Sequence, residues 1–218
     1  MRVDLRLYAI VDPETSGGHD LADLARRLAA GGAMLVQLRD KLSETRVMIT
    51  RARAIKAALG AVPLLINDRV DVALAAGCDG VHVGQQDMAA EDVRRLLGPG
   101  AIIGLSIKTA AQAAAAPLDL IDYAGIGGVY GTTSKQNTSK PIGPAGLKRI
   151  VEELHRRSPG FPTCGIAGIN ASNAAEVIAA GADGISVISA LSLAPDPQAA
   201  ARGMRKIVDA ALVKRSRA

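Results

Sequence analysis

Gln37, Arg39 and Lys41 alternate along the run MLVQLRDK, so in an extended backbone all three side chains leave one face. Two cations two residues apart repel each other unless an anion sits between them. A pyrophosphate is such an anion: arginine grips two of its oxygens and lysine acts as a point charge. The competing reading is a solvated loop in which Asp40 pairs with the cations. Asn67 and Asp68 close the run LLIND, and Asp87 follows GVHVGQQ. Two carboxylates with phosphate oxygens and water form the oxygen-rich octahedral set that suits Mg²⁺. Capping explains either aspartate alone, Asp68 for a helix near Arg69 and Asp87 for one after Met88. It does not explain why both lie beside a cationic cluster. Asp71, in the first turn of that helix, reads as a partner of the helix dipole.

Further groups extend this chemistry. Ser106 ends IIGLS, and Thr132, Thr133, Ser134 and Lys135 follow GIGGVYG in a polar loop from Gly131 to Gly143, a length usually kept for function. Within that loop Gln136 to Lys140 reads as a surface connection, and Lys135 gains meaning only from its company. Gly168 and Ser189 each precede a helix, where backbone N–H groups bind phosphate, and barrels often seat a phosphate between the last two loops. His82, between Val81 and Val83, reads as a packed, hydrogen-bonded core histidine rather than an acid or base.

What must position these groups is a set of apolar runs, each ending in glycine, charge or hydroxyl. Strands apolar along their length and polar at their C-terminal ends describe a parallel sheet with function at one rim. Strand and helix signals alternate eight times: Leu7–Val11, Met34–Leu38, Leu64–Ile66, Gly80–Val83, Ile102–Leu105, Tyr123–Val129, Pro162–Ile166 and Ile185–Ile188 are the strands. Gly or Pro punctuates nearly every junction. Eight βα units in 218 residues predict an α/β fold, a single (β/α)8 TIM barrel with parallel strands spanning residues 1–218. An open doubly wound sheet is the alternative, but no GxGxxG follows the first strand. Only 2% of residues are aromatic against 49% hydrophobic, so aliphatic side chains must fill the core.

The net charge is +5, but Lys214, Arg215 and Arg217 supply three of those charges in the last five residues, leaving the rest near balance. Residues 214–218 therefore read as a basic, frayed tail, and nucleic-acid binding is not expected. MRVDLRLYAIV has neither a signal-peptide pattern nor a membrane span, which places the expected protein in the cytoplasm, away from membranes. Cys78 and Cys164 lack CxxC spacing and read as reduced, buried thiols. Whether the chain forms a homo-oligomer is open.

VQLRDK, LLINDRVDVALAAGCDGVHVGQQDM, IIGLS, the TTSK turn and GADGISVISAL, in that order, resemble the thiamine phosphate synthase family over essentially the whole chain. The long segment from the third to the fourth strand is the most specific. The resemblance implies a transferase that couples hydroxymethylpyrimidine pyrophosphate to a thiazole phosphate, or its carboxylated precursor, giving thiamine monophosphate and pyrophosphate. It also implies site roles. Gln37, Leu38, Arg39, Asp40 and Lys41 with Asn67, Ser106 and Lys135 would hold the pyrimidine pyrophosphate; Asp68 and Asp87 would bind Mg²⁺. Thr132, Thr133, Ser134, Gly168, Ile188 and Ser189 would receive the thiazole phosphate. Arg39, Lys41, Ser106 and Lys135 are the expected catalytic groups.

Two positions depart from the family pattern. Ile166–Ala167–Gly168–Ile169 stands where IGGI is usual, and an alanine there predicts φ < 0. Gly131 stands where proline is common before the TTSK turn. Two rival functions remain. A thiazole tautomerase of the same fold would want a histidine near the end of the sixth strand, where GIGGVYGTT has none. A non-catalytic phosphate-binding barrel would not need Asp68 and Asp87 together.

Overall fold

A computed structural model describes residues 3–132 and 140–217. Eight parallel strands, β1 (Leu7–Val11), β2 (Leu35–Leu38), β3 (Leu64–Asn67), β4 (Gly80–Val83), β5 (Ile102–Ile107), β6 (Tyr123–Gly127), β7 (Thr163–Ile166) and β8 (Gly184–Val187), pair in sequence order. Pairing of β1 with β8 closes the barrel. The surrounding helices are α1 (Leu21–Ala30), α2 (Thr45–Leu59), α3 (Val70–Ala76), α4 (Ala90–Leu97), α5 (Ala110–Ala115), α6 (Gly143–Arg157), α7 (Ala174–Ala179), α8 (Ser189–Ser192) and α9 (Pro197–Arg215). The (β/α)8 barrel expected from the alternating signals is the fold observed.

The period-2 alternation of each strand divides its side chains between two layers. Leu7, Ala9, Leu38, Leu64, Ile66 and Ile103 belong to the large apolar layer packed with the helices. Tyr8, Leu35, Leu65, Tyr123 and Cys164, with Leu5, form a smaller cluster inside the barrel. Strand residues two positions further along, Ile10, Gln37, Asn67 and Ile166, line the cavity above it.

The opposite end carries a clamp repeated three times. Asp79, Asp122 and Asp183 each stand just before an even-numbered strand. Each accepts the backbone N–H at or near the start of the preceding strand, from Leu64 (2.8 Å), Ile103 (2.8 Å) and Thr163 (3.0 Å). Each also pairs with a cation from a flanking helix: Lys56, Arg94 and Arg215 respectively. The third clamp corrects the frayed-tail expectation: α9 continues to Arg215, whose guanidinium also reaches the carbonyls of Ile178 (3.1 Å) and Ala182 (2.7 Å).

Most element boundaries match the pattern-based expectation to within two residues. The short helix α8 and a 3₁₀ turn at Pro13–Thr15 were not signalled. Strand β5 runs past Leu105 to Ile107, which puts Ser106 inside the strand rather than after it. No described helix is long and apolar enough to cross a membrane. Both cysteines are free; Cys164 is buried, whereas Cys78 is only partly so.

Candidate active site

The C-terminal ends of the strands open on a cavity of about 560 Å³, lined by residues at the ends of β1, β2, β3, β4, β5, β7 and β8 and by Gly131 and Thr132 in the loop after β6. Gln37, Arg39, Asn67, Ser106, Thr132, Gly168, Ile188 and Ser189, all singled out from the sequence, reach it. Thr133, Ser134 and Lys135 lie outside the described residues.

The QLRDK segment separates into three environments. Gln37 and Arg39 face the cavity as alternation requires. Leu38 faces the helices, so it can offer the site only backbone. Asp40 is turned away: its carboxylate accepts from Arg51 Nη1 at 2.6 Å and from the Ser43 N–H at 3.0 Å. Burial opposes its ionisation, but these donors outweigh the cost and hold its pKa below the ordinary carboxylate value. Asp40 is thus an anchor for the start of α2 rather than a partner of Arg39.

The expected repulsion between Arg39 and Lys41 is relieved by two protein carboxylates. Arg39 is salt-bridged to Asp12, which is 1% exposed. Asp12 also accepts the Glu14 N–H at 2.9 Å as the cap of the 3₁₀ turn. Lys41 is salt-bridged to Asp68. Asp12 had no signal in the sequence beyond a turn-like DPET.

Asp68 and Asp87 converge as expected. Neither caps a helix: α3 and α4 start without a side-chain cap. Asp87 instead accepts the Gly84 N–H at 2.7 Å. Burial and the adjacent Asp68 carboxylate push the Asp87 carboxyl above its ordinary pKa, against the Gly84 bond and Lys41, which lower it. Such a like-charge approach favours a divalent cation between the two groups. Among the described residues no cluster of three or more His, Cys, Asp or Glu forms. The remaining ligands would be water and substrate oxygens, the arrangement Mg²⁺ commonly takes. The backbone of Asp68 lies at φ 61°, and its N–H donates to the His82 carbonyl at 2.9 Å.

Across the cavity, Ala167 lies at φ 73°, not in the negative-φ conformation expected from its side chain. Gly168 follows at φ 68°. A Cβ there would fall 2.4 Å from the Gly131 carbonyl oxygen and 2.7 Å from Tyr130 Cβ, so this position needs glycine for both space and conformation. Tyr130 N–H donates to Ala167 O (3.2 Å), binding the loop after β6 to the end of β7, and Asn173 Nδ2 donates to Gly168 O (3.0 Å) within the connection from β7 to α7. Gly168 does not open α7, which begins at Ala174. Ser189 is the first residue of α8, after Ile188. Two side-chain atoms at the cavity wall, Asn67 Nδ2 and Ser186 Oγ, are buried without a hydrogen-bond partner among the described residues.

Beneath the cavity a polar chain crosses the barrel. Gln37 Nε2 donates to Tyr8 Oη. Tyr8 Oη and Tyr123 Oη are 3.0 Å apart, Tyr123 Oη and His82 Nδ1 2.8 Å, and His82 Nε2 and Ser106 Oγ 2.9 Å. Burial raises both phenol pKa values far above normal, so both rings stay neutral. Glycines make room for the rings: a Cβ at Gly104 would lie 2.1 Å from Tyr123 Cζ, and one at Gly125 2.9 Å from His82 Cε1. His82 is therefore the hydrogen-bonded interior histidine that its sequence context suggests. Tyr8 and Tyr123 were visible only as strand residues.

Residues 7–191 match the family model described as Thiamine monophosphate synthase. A thiamine-phosphate synthase of Agrobacterium fabrum is 48% identical over 216 residues, covering 98% of each chain. One from a Roseiflexus species is 44% identical over 214 residues, covering 97% of this chain and 89% of the relative. Among solved structures, thiamine phosphate pyrophosphorylase from Pyrococcus furiosus superposes with a TM-score of 0.84 at 36% identity. That match covers 97% of this chain and 98% of the other.

Proposed function

The chain belongs to the thiamine monophosphate synthase family, and from that premise we propose that it joins hydroxymethylpyrimidine pyrophosphate to 4-methyl-5-hydroxyethylthiazole phosphate, or its carboxylated precursor, releasing pyrophosphate. It is an alkyl transferase whose product is thiamine monophosphate. The observation that carries this reading at the site is the convergence of Asp68 and Asp87 beside a cavity into which Arg39 projects.

The chemistry needs charge management rather than a protein nucleophile. The aminopyrimidine stabilises a cation at its exocyclic methylene as pyrophosphate leaves, and the thiazole nitrogen then attacks that carbon. Asp68 and Asp87 would hold Mg²⁺, which when bound supplies electrostatic neutralisation of the departing pyrophosphate. Arg39, held in place by Asp12, would grip pyrophosphate oxygens bidentately. Lys41 would exchange its bond to Asp68 for the anion. Lys135 is assigned to the same leaving group from the sequence. Gln37 and Asn67 would orient the pyrimidine, and Ser106 would donate to the leaving oxygens.

On the other wall Thr132, Gly168, Ile188 and Ser189 would receive the thiazole phosphate through hydroxyl and backbone N–H groups, and Thr133 and Ser134 are assigned to the same phosphate from the sequence. The apolar wall of Ile10, Ile166 and Val187 would exclude water from the carbocation. Incubating the chain with both phosphorylated precursors and Mg²⁺ tests the reading. Thiamine monophosphate and pyrophosphate should appear in equal amounts, and phosphate binding without turnover would overturn it.

A further inference from the structure

The chain leaving β6 is tied to the end of β7 by backbone and to α7 by a side chain. Val129 N–H donates to Ile166 O (2.9 Å) and Tyr130 N–H to Ala167 O (3.2 Å), which carries the β6–β7 pairing beyond the strand ends. Tyr130 abuts Gly168: its Cβ and carbonyl carbon lie 2.7 and 3.0 Å from where a Cβ on that glycine would stand. Its ring packs on the apolar layer, and its Oη donates to Glu176 Oε2 in α7 at 2.6 Å. Burial and the Glu176 carboxylate push the phenol up to about 12, so it keeps its proton and remains a donor at neutral pH.

These contacts close a circuit around the left-handed pair Ala167 and Gly168. Gly168 O accepts from Asn173 Nδ2 (3.0 Å), and Asn173 O accepts from the Glu176 N–H (3.1 Å). Glu176 accepts from Tyr130, whose own N–H returns to Ala167 O. The Tyr130–Glu176 bond is the link that joins the β6 side of this circuit to α7. Directly after Tyr130, Gly131 and Thr132 line the cavity beside Gly168.

We propose that Tyr130 and Glu176 are positioning residues whose bond holds Gly131 and Thr132 against Gly168 and so sets the spacing of the groups that receive the thiazole phosphate. The identity of that ligand rests on the function proposed above; the circuit does not. Neither side chain lines the cavity, so the pair acts through the geometry of the wall rather than by touching substrate. Gln37, Arg39 and Asn67 stand on or just after β2 and β3, outside the circuit. The bond should therefore affect one substrate and spare the other.

Steady-state kinetics separate this role from a purely structural one. Tyr130→Phe removes the donor but keeps the ring, Glu176→Ala removes the acceptor, and Glu176→Gln keeps an oxygen that can accept. Tyr130→Phe and Glu176→Ala should each raise the KM for thiazole phosphate about 3- to 5-fold, in the lower part of the range for one hydrogen bond because solvent reaches this one. The KM for pyrimidine pyrophosphate should not move. Tyr130→Phe combined with Glu176→Ala should be no worse than either alone, since both lose the same bond. Glu176→Gln should restore the parent KM. Glu176 is exposed, so its variants carry the test should Tyr130→Phe fail to fold. Equal rises in both KM values, no rise, additive losses, or no rescue by Glu176→Gln would overturn the positioning role.

A second readout needs no turnover. In the chain without substrate, the ¹H–¹⁵N amide resonances of Gly131, Thr132 and Gly168 should shift in Tyr130→Phe and Glu176→Ala and return in Glu176→Gln. Unmoved amides would also overturn the proposal. The expected shifts in a parent that makes no thiamine monophosphate would instead overturn the assigned substrate and leave the positioning of this wall in place.

Discussion

Lys41 Nζ is salt-bridged to the Asp68 carboxylate, the same carboxylate that raises the pKa of Asp87. The lysine thus neutralises one member of a carboxylate pair from outside the cavity. A divalent cation between Asp68 and Asp87 would perform that neutralisation better and free Lys41 for an anion. Arg39 and Lys41 therefore differ in kind: Arg39 is bound to a buried carboxylate of fixed position, Lys41 to a group expected to change partners.

Asp68→Ala and Asp87→Ala should each lower turnover by ~10²-fold or more while leaving the fold intact, the scale of one lost electrostatic stabiliser. Rates at saturating substrate and limiting Mg²⁺ check this. Near-normal rates in both variants would rule out the metal assignment.

Without metal, Asp87→Asn should stabilise the chain at pH 7. A carboxyl whose pKa is raised on folding binds its proton more tightly in the folded state. Stability then falls as pH rises from the unfolded value of 3.8 through the raised one. Removing the charge removes that penalty, and the amide oxygen can still accept the Gly84 N–H. Melting in EDTA should show a higher Tm for Asp87→Asn at pH 7, with the gain vanishing near pH 3. Equal gains at both pH values would show that the charge is not the cause.

Asp12→Ala should cost about 1–3 kcal/mol of stability, since the Glu14 N–H loses its acceptor while Arg39 remains reachable by water from the cavity, and should raise the KM for pyrimidine pyrophosphate. Asp183→Ala, at the opposite end of the barrel, should cost about 1–3 kcal/mol by leaving the Thr163 N–H without its acceptor. It should leave kcat and both KM values unchanged. Denaturant titration and steady-state kinetics on the two variants separate site support from barrel support.

The contrast between these aspartates shows what could be read from residues alone. Strand ends are legible because apolar runs terminate in polar groups, and a parallel barrel gathers those ends at one rim. That placed Gln37, Arg39, Asn67, Asp68, Asp87 and Ser106 together despite their separation in sequence. Partner choice is set by strand register and side-chain direction, which no local pattern encodes. Asp40 stands beside Arg39 in sequence yet serves Arg51, while Asp12 reaches Arg39 from the residue after the neighbouring strand β1. Tyr8 and Tyr123 carry no chemical motif, and their roles come from facing each other inside the barrel at 5.8 Å between ring centroids, edge to face.

Ala167 and Gly168 should respond in opposite directions to the exchange of one methyl group. Ala167 holds φ 73°, where an L side chain costs roughly 1–2 kcal/mol. Ala167→Gly removes that strain but returns ~0.4–1 kcal/mol of backbone entropy to the unfolded chain. The net expectation is a gain of about 0.5–1 kcal/mol with turnover preserved, seen as a higher Tm. Gly168→Ala adds the same strain and drives Cβ into the Gly131 carbonyl and Tyr130, whose backbone forms the facing wall. That wall must move, so the KM for thiazole phosphate should rise well above that for pyrimidine pyrophosphate, with lower stability. Gly168→Asp should add charge repulsion of the phosphate to the same steric effect and raise the thiazole KM further. Unchanged thiazole affinity in both Gly168 variants would remove the phosphate from this wall. A lower Tm in Ala167→Gly would show that the alanine contributes packing worth more than its backbone strain.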